Sequence, residues 1–358
     1  MAGIWQARQS RSIPPGLTLV MKTTTISCRR QLPVVSRITR ANRNTPKTLQ
    51  IRRILIPIDF SDASLQAIDH ALALSRQFDS ELDLVHVCEP VHPISSLSGL
   101  PLFVSDAEVE RRVRQHLQAV AGSYHLLLPN ENVHVTKGRP FEQICELVTN
   151  SGADLVVIPT RGNTGLKHLL LGSTSERVVR HASCPVLVIK PEARPKRSRN
   201  RPVSIEWSVR RIVVPIDFSD CSFKGLAYAK KLATQFGSTL VLLHCLPPQY
   251  YLANEEYSRY DLPLLLSKLE KSARAQLRKL AEEVRRDGIK VETTLEIGHP
   301  GQQICYRAQN DRADLIVTAT HGNTGLKHVF LGSTAEYVVR HSNCSVLVVP
   351  TRERPTLN

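Results

Sequence analysis

The chain has 358 residues, 42% of them hydrophobic, with 47 Lys and Arg against 32 Asp and Glu, a formal net charge of +15. That length and apolar content predict about two domains of ordinary size. No apolar run approaches the roughly 18 residues that cross a bilayer, so no membrane partner is expected. The charge is not spread evenly. Residues 1–53 hold eleven basic residues and no acidic one, and residues 190–211 hold eight basic and two acidic. These two segments account for +17, which leaves the rest of the chain close to neutral. The basicity therefore belongs to a tail, residues 1–50, and a linker, residues 191–209. Nucleic acid is set aside as a partner, because no aromatic residues interleave the Arg runs and charge runs are usually solvated. The tail reads as disordered, with an organelle transit peptide left open; it lacks the apolar core of a secretory signal. Eight cysteines with no C-x-x-C pair read as small buried hydrophobes of a reducing compartment, so a cytoplasmic protein without disulfides is expected.

Short Ile-, Leu- and Val-rich runs alternate with longer amphipathic ones. In chain order they predict a strand at 53–58, a helix at 62–78, a strand at 82–88, a helix at 105–127 and a strand at 132–137. A helix at 140–151, a strand at 154–159, a helix at 173–181 and a strand at 185–190 follow. After the Pro- and Arg-rich linker the pattern resumes, with strands near 211–216, 239–245, 290–297, 314–319 and 345–350. Strands alternating with helices imply a parallel sheet with crossover helices, and near-continuous apolar strands imply helices on both of its faces. The fold class is α/β: two doubly wound, five-stranded parallel-sheet domains in tandem, residues 51–190 and 210–351.

The tandem is written in the sequence itself. Thr160–Cys184 recurs as Thr320–Cys344 with 18 of 25 positions identical, and the segment from Arg53 to Asp62 is answered by Arg211 to Asp220. The offset between copies is 158 at their starts and 160 near their ends, so the second copy carries a net insertion of two residues between its second strand and the next helix.

In open α/β sheets ligands bind beyond the carboxyl ends of the strands, at the switch point of strand order. Three stretches per copy stand there. Asp59, after Pro57 and Ile58, and Asp217, after Pro215 and Ile216, place a carboxylate at the end of the first strand; such a group suits ribose hydroxyls or a phosphate-bound Mg²⁺. Gly162, Gly165 and Gly172, followed by Ser173, and Gly322, Gly325 and Gly332, followed by Ser333, form loops that lead into helices. Glycine lets backbone N–H groups approach an oxyanion, and a helix N-terminus attracts a phosphate. Arg161, Lys167 and His168, or His321, Lys327 and His328, add positive charge nearby. The third stretch is the end of the second strand, where His86 and His244 read as hydrogen-bonded core residues. His181 with Cys184, and His341 with Cys344, lack the second matched pair that a zinc site needs.

The string from Thr320 through Gly322-Asn323-Thr324-Gly325 to Gly332-Ser333, with its twin in the first copy, resembles the universal stress protein family. In that family the ATP-binding signature is Gly-x-x-Gly, nine residues, then Gly and Ser or Thr. Gly162 to Gly172 and Gly322 to Gly332 both keep the nine-residue spacing, while Pro159 and Ala319 stand where the first glycine belongs. Proline has no N–H and a fixed φ, so the second copy is expected to bind nucleotide better. The resemblance implies a Rossmann-like fold of the adenine nucleotide alpha hydrolase type and binding of ATP, ADP or AMP, with Mg²⁺ as companion. It implies Val87 and Cys245 against the adenine, Asp59 and Asp217 at the ribose or metal, and the glycine loops, with Thr174 and Thr334 beyond them, at the phosphates. It also implies that the two copies pack as an intramolecular pseudo-dimer through Val186–Ile189 and Val346–Val349, with further self-association and an unidentified protein partner left open. Neither a nucleophile elbow nor a Walker-type loop occurs, so slow hydrolysis is the most that is expected of it as an enzyme. The other reading kept open is a nucleotide-independent interaction protein whose pockets are relics.

Overall fold

The computed structural model describes residues 49–89, 105–160, 171–190, 207–246, 262–321 and 331–351. In the first copy the order is β1 (Arg53–Pro57), α1 (Asp62–Phe78), β2 (Glu81–Cys88), α2 (Asp106–Ser123), β3 (Val133–Lys137), α3 (Pro140–Ser151), β4 (Leu155–Pro159), α4 (Ser173–His181) and β5 (Val186–Ile189). The second copy repeats it as β6 (Arg211–Pro215), α5 (Asp220–Phe236), β7 (Thr239–Leu246), α6 (Leu262–Arg286), β8 (Val291–Ile297), α7 (Pro300–Asn310), β9 (Leu315–Ala319), α8 (Ser333–His341) and β10 (Ser345–Val349). The expected strands and helices are present within a residue or two at nearly every end. The exception is α2, expected to run to 127, which stops at Ser123 because His125 takes a left-handed backbone (φ 57°).

The central strands are apolar on both faces because both faces are covered. Ile54 and Ile56 join α1 and α2 residues such as Ile68, Leu74 and Leu117 in one core, while Leu55 looks the other way, into a core with Ile144, Val148 and Val178. Each of these side chains is fully or almost fully buried, so truncating Ile54 to Ala would cost about 2–5 kcal/mol. Helix α1 starts at Ser61, whose hydroxyl accepts from the Ser64 N–H, and ends at Asp79 in a left-handed conformation.

All ten strands lie in one sheet of order β3-β2-β1-β4-β5-β10-β9-β6-β7-β8. Within each copy the strands pair in parallel. The copies meet where β5 and β10 pair antiparallel, Val188 opposite Val346, Leu187 opposite Leu347 and Val186 opposite Val348. An antiparallel joint has a geometric consequence: the strand carboxyl ends of the two copies point to opposite ends of the sheet. On one face of the joint, Arg340 of α8 bonds Glu176 of α4 at 2.9 Å and Glu336 at 2.8 Å. Lys190 donates to the last carbonyls of α8, those of Val339 and Arg340, which also complements the negative end of the helix. On the other face, Phe236 stands edge-on to both Phe78 and Trp207.

Candidate functional site

The strand order reverses direction between β1 and β4 in the first copy and between β6 and β9 in the second. The crevice at a switch point opens between the ends of those strands, and the predicted carboxylates stand there. Asp59 and Asp217 are half-buried just past β1 and β6. In each case Oδ1 accepts from the backbone N–H of the second residue on (3.0 Å) and from its hydroxyl (2.5 Å), Ser61 in one copy and Ser219 in the other. The same serines cap α1 and α5. The cap is thus the serine's task, and the aspartate supports the turn in front of it.

Pro57 is buried and Pro215 half-buried at the last positions of their strands. At the end of β2, Val87 is half-buried; at the end of β7, Cys245 is 9% exposed, its thiol 4.0 Å from the Pro300 carbonyl. Burial, with Glu296 nearby, pushes that thiol up to about 12, which makes it an apolar wall rather than a nucleophile. Pro159 pairs with Ile189 and Ala319 with Val349, at equivalent ends of β4 and β9.

The glycine loops are pinned at their bases. The Thr160 N–H donates to the Ile189 carbonyl, and Gly172 N–H returns to the Thr160 carbonyl at 2.7 Å; Thr320, Val349 and Gly332 repeat this, with 2.8 Å for the return bond. Gly162, Gly165, Gly322 and Gly325 lie outside the described residues. Gly172 and Gly332 are the N-caps of α4 and α8, and no side chain caps either helix. α3 and α7 also lack a side-chain cap, but each opens with a proline, which has no N–H to satisfy, whereas α1, α2 and α5 begin with a capping serine. Ser173 and Ser333 are exposed, Thr174 and Thr334 half-buried, in those uncapped first turns. A helix start leaves several N–H groups without intrahelical partners. At α4 and α8 these groups, the helix dipole and the adjacent strand-end carboxylate form an arrangement that can take an anion on one side and hydroxyls on the other. Among the described residues, no three His, Cys, Asp or Glu side chains gather as a metal centre, and no helix is long and apolar enough to cross a membrane. His181, one half of the set-aside zinc pair, is exposed and bonded to the Arg177 carbonyl, while Cys184 is buried.

One feature of the site had no signal in sequence. Phe60 and Phe218, each following the aspartate, have φ of 62° and 61°, a region bulky residues avoid. Only the recurrence of Asp-Phe-Ser in both copies hints at it.

The sequence model of the universal stress protein family matches residues 50–190 and again 208–350. A universal stress protein of Methanocaldococcus jannaschii is 34% identical over 143 residues, 39% of this chain and 82% of its own. One of Mycobacterium tuberculosis aligns over both copies, 27% identical over 322 residues, 85% of this chain and 96% of its own. The crystal structure of a universal stress protein from Archaeoglobus fulgidus superposes with a TM-score of 0.55 over 86% of this chain and 98% of its own at 22% identity, which speaks to the fold. With two matches that together span most of its length, the chain belongs to the universal stress protein family, as a tandem of two such domains.

Proposed function

We propose that this chain binds an adenine nucleotide, ATP or its di- or monophosphate, at the carboxyl ends of the strands, and acts in stress response as a nucleotide-dependent sensor or interaction protein. The observation that carries the reading is the pair of uncapped helix starts at Gly172 and Gly332, each beside the switch point where Asp59 or Asp217 stands. Phosphates would lie against the first turns of α4 and α8, with Gly162, Gly165, Gly322 and Gly325 in the loops before them. The ribose would lie against Asp59 and Asp217, and the base against Val87 and Cys245. Mg²⁺ would arrive with the triphosphate, the two aspartates being the strand-end carboxylates nearest that path.

The copies are unequal in this reading. Pro159 cannot donate a backbone hydrogen bond where Ala319 can, so the second copy is the stronger site and the domain 51–190 the weaker. The β5–β10 joint supports the view of the chain as a pseudo-dimer, which leaves the edge strands β3 and β8 and the basic tail for other partners. Two sites at opposite ends of one sheet cannot share a nucleotide, so full occupancy is two per chain. Mass spectrometry of the nucleotide released when the purified protein is denatured tests the proposal. Co-purified adenine nucleotide at up to two per chain supports it; protein that carries none and takes up none when incubated with ATP, ADP or AMP favours a nucleotide-independent scaffold.

A further inference from the structure

His86 and His244 are not among the proposed nucleotide contacts, yet each makes the same two interactions in its own copy. Imidazole Nδ1 lies 2.7 Å from the Ile58 carbonyl oxygen in the first copy and 2.6 Å from that of Ile216 in the second. A carbonyl oxygen only accepts, so Nδ1 carries the hydrogen and donates it. The N–H of the same isoleucine donates to β2 or β7: Ile58 to the Val85 carbonyl and Ile216 to that of Leu243, both at 2.8 Å. One residue past the end of β1 or β6, the chain is therefore held to the neighbouring strand from both of its polar groups.

Immediately afterwards it turns through Asp59-Phe60 or Asp217-Phe218, with the phenylalanine at positive φ. A bulky residue persists in that conformation only where its surroundings over-determine it, and such corners cluster at functional sites. The histidine supplies a second hold, since its ring packs against the phenylalanine at a centroid distance of 4.8 Å in both copies. The corner so held is the one that aims Asp59 at Ser61 and Asp217 at Ser219.

We infer that His86 and His244 are positioning residues for the strand-end carboxylates: each fixes the left-handed corner by its hydrogen bond to the isoleucine carbonyl and its contact with the phenylalanine ring. The two copies brace the corner to different degrees. Phe60 is also stacked on His116 of α2, 4.2 Å away and nearly parallel to it. Gln276 holds the matching place in α6, as the shared core positions Leu117 and Leu277, and Ala121 and Ala281, align the two helices. Among the described residues, His244 is the one ring stacked or tilted against Phe218, so the second copy is expected to depend more heavily on its histidine. Where it concerns ligand affinity the inference rests on the nucleotide reading; the corner itself is a property of the ligand-free chain.

The test uses the full chain and the variants His244→Leu, His244→Asn and His86→Leu, with amide hydrogen exchange of Ser61 and Ser219 as the first readout. In His244→Leu the Ser219 amide should exchange on the order of tenfold faster, while amides of the β6–β7 ladder stay near wild type. Asparagine can place its amide nitrogen where Nδ1 stood, so His244→Asn should restore protection to within about threefold. His86→Leu should disturb Ser61 less than His244→Leu disturbs Ser219, because His116 remains. Unchanged Ser219 exchange in His244→Leu, the same acceleration across the whole second-copy sheet, or no rescue by asparagine would overturn the inference. Calorimetric titration of the same variants with Mg-ATP separates the two readings. A wild-type chain that takes no nucleotide leaves the positioning role standing and removes the nucleotide reading, whereas a Ser219 amide that opens while affinity is unchanged leaves the positioning role standing and removes Asp217 from the nucleotide contacts.

Discussion

Tyr337 of α8 stands where a side chain on Gly301 of α7 would have to go: a Cβ added at Gly301 would lie 2.7 to 2.8 Å from the Tyr337 Cβ, Cγ and Cδ1 atoms. In the first copy the same junction is filled from the other helix. Phe141 holds the position of Gly301 and packs against His181, with the Arg177 guanidinium 5.0 Å above its ring. Arg177 is the counterpart of Tyr337, so one aromatic ring fills each junction, supplied by α3 in one copy and by α8 in the other.

Gly301→Ala is accordingly expected to lower stability by about 1–3 kcal/mol, although Gly→Ala in an unobstructed helix is favourable by roughly 0.5–1 kcal/mol. In a Tyr337→Ala background, which removes Cγ and Cδ1 but keeps the Cβ 2.8 Å away, the loss should shrink. Denaturant unfolding of the four proteins in this cycle reads it directly, and independent, additive effects would refute the shared-space account.

The joint between the copies predicts a measurable coupling. Glu176 and Arg340 are about three-quarters buried and 164 residues apart in sequence, so their pairing is stronger than a surface ion pair and still partly screened. A double-mutant cycle with Glu176→Gln and Arg340→Gln should give a coupling of about 1 kcal/mol that shrinks with added salt. A coupling near zero would mean that this ion pair adds nothing to the β5–β10 register and the other contacts across the joint.

Asp83 is fully buried in β2, and its Oδ1 accepts from the Asn132 amide at 2.7 Å, while Arg53 and His134 stand 3.7 Å away. In the second copy the corresponding residues are Val241 and Glu292, and Glu292 itself meets Arg211. The carboxylate has moved from one strand to the next while its arginine has stayed. Asn132→Ala should cost about 1–3 kcal/mol by leaving a buried oxygen unsatisfied. Adding Asp83→Val should recover most of that loss in thermal unfolding; a double variant as unstable as the single one would show that Asp83 supports the fold by another route.

Cys145 sits in α3 against the core, and burial lifts its thiol from the ordinary 9.0 to about 11. Its neutral form is favoured by folding, so the group contributes no penalty below pH 9. Between about pH 9 and 11 the unfolded thiol ionises while the folded one keeps its proton. Stability should therefore fall in that window as pH rises, by up to about 1.4 kcal/mol per pH unit relative to Cys145→Ala. Parallel alkaline profiles for the two proteins would contradict the burial argument.

Most of the fold was legible because the alternation of apolar strands and amphipathic helices and the duplicated string point the same way. The end of α2 was not. Leu126-Leu127-Leu128 reads as a continuing helix, but Leu126 and Leu128 pack on the core while Leu127 is 98% exposed, the alternation of an extended segment. The positions of Asp59 and Asp217 past their strands, and of Gly172 and Gly332 before their helices, followed from the alternation of strands and helices. The left-handed Phe60 and Phe218 did not, because propensity argues against an aromatic residue there and tertiary contacts with His86 and His244 override it. Glu176 and Arg340 were invisible for a different reason: their pairing exists only once β5 and β10 are joined.

Nucleotide binding at the two helix starts is read directly by calorimetric titration of the full chain with Mg-ATP, repeated for Gly172→Val and Gly332→Val. Saturable binding is expected in the wild type, lost or greatly weakened in Gly332→Val and largely kept in Gly172→Val. No heat of binding in the wild type, or binding indifferent to both substitutions in chains that remain folded, would contradict it.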